Sequence, residues 1–356
     1  MRSFLVLEDG SVFEGEAFGA IREVFGEVVF ATGMTGYQES LTDPSYCGQI
    51  LVASYPLIGN YGVNSAEMES DRVRVWGYAV REVCAVPSHR SSTMTVDEFL
   101  RAWSVPGISG IDTRALIRKL RNFGTMKGAI GTADPDSLLD KVRAMTHPEK
   151  TNLVAQVSTR SPIRYGDGHS RTVALLDCGV KASIVRELRK RFNVVQLPFD
   201  TPADVVLDLK PDGVFISNGP GDPAHPDIMA TIVSTLRRLK DQLPMMGICL
   251  GHQLLSLALG ARTYKLKFGH RGVNQPVDLD GRVYITSQNH GFAVDQSSAE
   301  KAGLEVTVRN LNDGTVEGVR HSDLPMFSVQ FHPEAHPGPH DTSFLFDRFL
   351  RMMEGA

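Results

Sequence analysis

From residue 172 onward, short runs of consecutive apolar residues alternate with longer stretches whose apolar positions recur every three or four residues. The runs at 173–177, 194–197, 213–217 and 245–248 are short and continuous, which is the pattern of strands buried on both faces. Between and after them, 181–191, 202–209, 225–240 and 252–259 carry helical spacing. Strands joined by helices predict a doubly wound, mostly parallel sheet. Ligands bind such sheets at the carboxyl ends of the strands.

The first 150 residues follow a different rhythm. Apolar stretches at 3–7 and 11–14 flank Asp9-Gly10, a hairpin turn signal, and further strand-like runs fall at 27–31, 50–54 and 76–83. Two helices are predicted late in this half. One spans 112–122 with Asp112 as N-cap and Gly124 as terminator; the other spans 134–144 with Asp134 as N-cap and Pro135 in the first turn. The expectation is a β-rich α+β domain over 1–152. Within it, residues 32–46 form a loop rich in glycine and hydroxyls, which reads as turn chemistry. Periodicity dissolves into Ser, Thr, Pro, Gly and charge at 153–171, which predicts a linker before a second domain at 172–356.

Composition narrows the class. A chain of 356 residues with 42% hydrophobic and 22% charged residues is a globular protein of about two domains. Its net charge of -4 does not suggest nucleic-acid binding. No apolar run reaches the ~20 residues of a membrane span, and the apolar start at 4–7 is too short for a signal peptide. Four scattered cysteines, without a C-x-x-C pair, indicate neither a disulfide framework nor a zinc knuckle and fit a reducing, cytoplasmic setting.

Candidate chemistry falls at the predicted strand ends. In Gly247-Ile248-Cys249-Leu250-Gly251-His252-Gln253 a cysteine sits on a turn between a strand and a helix, with glycines two residues to either side. A helix amino terminus favours thiolate over thiol, so Cys249 is a candidate nucleophile; the plain alternative is a small apolar residue packed under the helix. Ser217-Asn218-Gly219-Pro220-Gly221-Asp222-Pro223 follows another strand. It lacks phosphate-loop and dinucleotide spacing, and reads either as an ordinary turn or as a source of backbone N–H groups for an oxyanion, together with the N–H of Leu250. After the apolar run 327–331 come His332 and Glu334, which share one face in extended backbone. Cys249, His332 and Glu334 can thus serve as nucleophile, acid–base and orienting carboxylate. His332, His336 and His340 recur every four residues, but Pro333, Pro337 and Pro339 exclude the helix that a zinc site at this spacing requires, so no metal is expected. His252, His290 and Asp341 lie near these motifs and receive no catalytic role.

The glycine loop, the Cys249 turn and His332-Pro333-Glu334, in that order, resemble the triad-type, class I glutamine amidotransferases over about residues 172–356. Within that class the whole chain is similar to the glutamine-hydrolysing small subunits of carbamoyl phosphate synthetase. The resemblance is carried by the 32–46 loop, Asn60-Tyr61-Gly62, Lys267-Phe268-Gly269-His270-Arg271-Gly272, Gln288-Asn289-His290-Gly291-Phe292-Ala293 and Pro337-Gly338-Pro339-His340-Asp341. Phe331 stands where these relatives carry glycine, and His336 where they often carry serine. The resemblance implies a γ-glutamyl thioester on Cys249, with the released ammonia passing to a separate large subunit in a heterodimer or a higher assembly. There bicarbonate and ATP, with Mg, yield carbamoyl phosphate for arginine and pyrimidine synthesis; no cofactor is implied in this chain. It also implies that glutamine is bound by Ser45, Gly219, Gly221, Leu250, Gln253, Asn289, Gly291 and Phe292. Two alternatives stand beside it: the glutaminase subunit of another amidotransferase, acting on chorismate or a purine nucleotide, and a non-catalytic interaction module on the same fold.

Overall fold

The computed structural model describes residues 1–166 and 168–355. The chain divides into two compact units, Met1–Thr151 and Asn152–Ala356.

In the first unit, Asp9-Gly10 turns the chain between the strands Arg2–Leu7 and Val12–Gly19, which pair antiparallel. Gly10 takes φ 90, a conformation that favours glycine at such a turn. Five further strands, Val24–Ala31, Gln49–Ala53, Gly77–Ala79, Pro106–Ser109 and Met126–Gly131, close a seven-stranded barrel in which Met126–Gly131 pairs with Arg2–Leu7. Closure removes the exposed strand edges that a small sheet otherwise presents. The helix Thr113–Phe123 begins where predicted, with the Asp112 carboxylate accepting from the Ala115 N–H, and ends at Gly124. The helix Pro135–Ala144 is capped likewise by Asp134. The 32–46 stretch is more regular than turn chemistry predicts. It holds a helix, Tyr37–Thr42, and a 3-10 turn, Pro44–Tyr46, in which Tyr37, Leu41 and Tyr46 are buried.

The second unit is built on a ten-stranded sheet. Asn193–Pro198, Thr172–Asp177, Gly213–Ile216, Met245–Ile248 and Met326–Val329 lie side by side and parallel. Alternate residues of these strands feed two cores. Ala174, Leu176 and Ile216 pack with Leu236 and Leu254 on one face, while Val173, Leu175 and Phe215 pack with Leu188, Phe346 and Phe349 on the other. That double burial is why these runs are continuously apolar. The other five strands are antiparallel. Their frame is a long hairpin, Thr263–Leu279 with Arg282–Val294, flanked by Leu304–Asn310 and Val316–His321. Helix–strand alternation stops before this hairpin, so the periodicity that predicts the parallel half does not extend to it.

Two boundaries differ from expectation. The predicted linker at 153–171 contains a helical turn, Val154–Val157, and a strand, Ile163–Tyr165, that pairs antiparallel with Asn193–Pro198. A three-residue strand is too short to leave a period, so only its polar composition shows in the sequence. Asp167 of that stretch, like Ala356, lies outside the described residues. The predicted helix at 225–240 is a composite of Pro226–Ile228, a π-helical turn at Met229–Val233, and Ser234–Leu239.

Candidate active site

The strand Met245–Ile248 runs directly into the helix Leu250–Ala258, and Cys249 alone makes the turn at φ 55 and ψ -105. A positive φ is strained for a residue with a Cβ, and strain of this kind persists only where the surroundings enforce it. Here they do. The Cys249 N–H donates to Val329 O at 2.9 Å, and the Cys249 carbonyl accepts from the His252 N–H at 3.1 Å. Turn and helix lie so close that a Cβ on Gly247 would meet Gly251 O at 2.5 Å, and one on Gly251 would meet Ile216 O at 2.2 Å. The two glycines flanking the cysteine are therefore demanded by backbone approach. At the start of the helix, the N–H groups of Leu250 and Gly251 have no intrahelical acceptor.

Ile248 pairs in register with Val329 of the strand Met326–Val329, so the segment beyond that strand emerges beside Cys249. It delivers His332, anchored by its N–H to Ser287 O at 2.9 Å. His332 Nδ1 lies 2.6 Å from Glu334 Oε1. Nε2 is buried without a hydrogen-bond partner. Burial disfavours the imidazolium, but the Glu334 carboxylate and then the Cys249 sulfur outweigh it and push the His332 pKa up to about 10. Glu334 shows the converse balance. Burial raises its pKa, yet the charges of Lys181 and then His332 hold it down at about 2. All three members are buried, at 2%, 2% and 1% exposure for Cys249, His332 and Glu334.

Lys181 carries no signal in the local sequence. It precedes the helix Ala182–Arg189, is itself buried, and sets Nζ 3.0 Å from Glu334 Oε1 and 2.7 Å from Ala335 O. Asn218, on the glycine loop, accepts from the Lys181 N–H at 3.1 Å. The arrangement is thus a relay of four, from ammonium through carboxylate and imidazole to thiol.

The other predicted site residues divide. Asn289 offers its backbone oxygen to the Cys249 thiol at 3.5 Å. Gln253 donates its amide to Phe292 O at 2.8 Å and to Gln330 Oε1 at 2.9 Å, which ties the catalytic helix to the strand Arg282–Val294 that carries Asn289, Gly291 and Phe292. Gly219 is packed so tightly that a Cβ would meet Cys178 O at 2.1 Å and Leu250 Cδ2 at 2.9 Å, so the glycine loop touches the first residue of the catalytic helix. Gly221 lies on the same loop at φ +92, beside Leu153. Ser45 belongs to the first unit, where its N–H donates to Asp43 Oδ1 at 2.9 Å. His252 is a buried core histidine: Nδ1 lies 2.9 Å from Ser328 Oγ, and burial pushes its pKa down to about 3. The rings of His336 and His340 meet edge to face at 5.4 Å, while His332 is committed to Glu334. Among the described residues, no helix is long and apolar enough to cross a membrane.

Known proteins match the two regions separately and the chain as a whole. Residues 5–130 match the family described as carbamoyl-phosphate synthase small chain, CPSase domain, and residues 174–352 match glutamine amidotransferase class-I. The chain is 54% identical to the carbamoyl phosphate synthase small chain of Archaeoglobus fulgidus, over 99% of both chains. It is likewise 54% identical to that of Methanopyrus kandleri, again over 99% of both. Identity is 48% to the carbamoyl phosphate synthase pyrimidine-specific small chain of Bacillus subtilis, covering 99% of this chain and 96% of that one. With likeness of this depth running through both regions, the chain belongs to the family of carbamoyl phosphate synthase small chains.

Proposed function

We propose that this chain hydrolyses glutamine and passes the ammonia to a carbamoyl phosphate synthase large subunit. The observation that carries the reading is the strained Cys249 turn set beside a His332–Glu334 pair at 2.6 Å, at the ends of two adjacent parallel strands. In the reaction, Cys249 Sγ attacks the side-chain amide carbon of glutamine with its proton already held on His332 Nε2. The raised proton affinity of His332 suits it to hold that proton, and Glu334, held ionised by Lys181, supports the imidazolium. The tetrahedral oxyanion is held by the backbone N–H groups of Leu250 and Gly219. His332 then gives its proton to the amide nitrogen, the C–N bond breaks, and ammonia leaves a γ-glutamyl thioester. Water, deprotonated by His332, attacks the thioester carbonyl and frees glutamate and the thiol.

Glutamine is oriented by Gly221, Gln253, Asn289, Gly291 and Phe292. ATP and Mg are consumed on the large subunit, with which this chain forms a heterodimer or a higher assembly. None of the four cysteines forms a disulfide, which supports a cytoplasmic site of action. The test is glutamine hydrolysis with and without a carbamoyl phosphate synthase large subunit, using Cys249→Ala as the blank. Cys249-dependent hydrolysis stimulated by that partner is the expected result. Hydrolysis indifferent to the partner overturns the assignment of the recipient, and the absence of hydrolysis under both conditions overturns the chemistry.

A further inference from the structure

A second buried histidine–glutamate cluster lies in the antiparallel half of the sheet, and the glutaminase chemistry makes no use of it. His270 and His290 stand directly opposite one another on the two arms of the long hairpin, their rings edge to face at 4.9 Å. Glu317 reaches them from the strand Val316–His321. Side-chain exposures are 11%, 1% and 0% for His270, His290 and Glu317.

The outward nitrogens settle where the ring protons are. His290 Nδ1 lies 2.8 Å from Phe292 O, and His270 Nε2 lies 2.9 Å from Asp313 Oδ2. A carbonyl and a carboxylate only accept, so both outward nitrogens carry hydrogen. In the neutral rings the inward atoms, His270 Nδ1 and His290 Nε2, are then bare lone pairs. They point at Glu317 Oε1 from 3.5 Å and 3.7 Å. Gln288 Oε1, a further acceptor, lies 3.2 Å from His290 Nε2. Glu317 Oε2 is buried with no hydrogen-bond partner. The donors turned into the cluster are the amide of Asn310, at 3.3 Å from Glu317 Oε1 and 3.4 Å from His270 Nδ1, and the hydroxyl of Thr315, at 3.4 Å from Glu317 Oε1.

Converging lone pairs in a buried site require a cation, and the spacing distinguishes a proton from a metal. An imidazolium closes on a carboxylate at about 2.7–2.9 Å. The catalytic pair of this same molecule is tighter still, at 2.6 Å. The second cluster stays open by most of an ångström more. Its spacing is close to the edge of a coordination tetrahedron, about 3.3 Å when ligand bonds are about 2.0–2.1 Å. Two imidazoles and a carboxylate suit zinc and its neighbours rather than calcium or magnesium, which prefer oxygen alone. Each imidazole is held from behind by an acceptor, as metal-bound histidines generally are.

We propose that His270 Nδ1, His290 Nε2 and Glu317 form a binding site for a Zn2+-type divalent metal, with Gln288 Oε1 in reach as a fourth ligand and Asp313 as the outer support of His270. The metal staples three strands together. One of them carries Asn289, whose backbone oxygen receives the Cys249 thiol, so the site braces the strand beside the nucleophile without taking part in the reaction.

The experiment uses the full untagged chain in a Cys249→Ala background, which removes the reactive thiol as a competing ligand, so its readouts are independent of glutamine turnover. The protein is purified without chelator, its metal content is measured, and chelator-treated protein is then titrated with Co2+ and Zn2+. The expected results are one zinc per chain, visible ligand-field absorption on adding Co2+, and a rise in the unfolding temperature with Zn2+. Glu317→Gln is expected to lose all three, and Asp313→Asn to weaken the metal about 10- to 100-fold. Because the Co2+ spectrum is read on the parent protein, misfolding of a variant does not decide the matter. A parent that binds neither ion overturns the site and leaves an imidazolium–carboxylate cluster. Metal uptake undiminished in Glu317→Gln also overturns it, and points to the partly exposed Glu27, His147 and Glu149 group of the first unit.

Discussion

His332 with Glu334, and His270 with Glu317, are both buried in the second unit, yet the first pair closes to 2.6 Å while the second stands at 3.5 Å. What separates them is the company each keeps. Glu334 has a buried ammonium, Lys181, at its back, and the far nitrogen of His332 has no hydrogen-bond partner and lies beside a thiol. In the second cluster the far nitrogen of each histidine is already occupied, by Asp313 or by Phe292 O, and the lone pairs turn inward upon one another. The role of a histidine–carboxylate pair is therefore decided by the other ring nitrogen. Left open toward a nucleophile it moves protons, and tied back it presents its partner nitrogen as a ligand.

The largest expected effect is at the open end of the first pair. Cys249→Ala removes the nucleophile and should lower glutamine hydrolysis by about 10⁴-fold or more, measured as glutamate release. His332→Asn should cost about 10²- to 10⁴-fold in the same assay, the range of a lost acid–base group. Equal rates in His332→Asn and the parent would erase the distinction between the two pairs.

Next comes the back of the relay. Glu334→Gln leaves the Lys181 ammonium buried without its carboxylate, and should destabilise the chain by about 3–5 kcal/mol in denaturant unfolding. Its loss of rate should fall short of that in His332→Asn. The pair also sets a pH dependence of stability. His332 is raised from 6.5 to about 10, so its contribution is complete below about pH 6.5 and disappears as pH rises through 10. Glu334 is lowered from 4.5 to about 2, so its contribution is complete above about pH 4.5 and disappears as pH falls through 2. Thermal unfolding across pH, parent against a His332→Gln/Glu334→Gln double variant, should show a difference that is greatest between these limits.

How much of this was legible in the sequence follows from chain separation. The Cys249 turn was readable because strand, nucleophile, glycines and helix fall within about ten consecutive residues, as were the helix caps at Asp112 and Asp134. Lys181 was not, since its partner lies 153 residues away and only the sheet order joins them. The second cluster was hidden for the same reason: His270, His290 and Glu317 come from three strands of the antiparallel half, where no helix–strand rhythm marks the elements. The helical turn at Tyr37–Thr42 reads as loop because the glycines before it and the hydroxyls within it mask a run of only six residues.

A smaller effect sharpens the geometry. Gly251→Ala places a Cβ 2.2 Å from Ile216 O, and the overpacking should cost about 1–3 kcal/mol while displacing the first turn of the catalytic helix. The smallest effect is a control on the surface. Arg320 and Glu305 lie 2.7 Å apart, nearly as close as the catalytic pair, but at 47% and 54% exposure. Arg320→Ala should change stability by about 0–1 kcal/mol, because water screens what burial amplifies.

The most direct measurement is acid quenching of the chain during turnover of isotopically labelled glutamine, with the large subunit present, followed by peptide mass spectrometry. A labelled γ-glutamyl adduct on the Cys249 peptide, absent from Cys249→Ala, is the predicted result. Steady hydrolysis with no adduct on that peptide would contradict the assignment of Cys249 as the nucleophile.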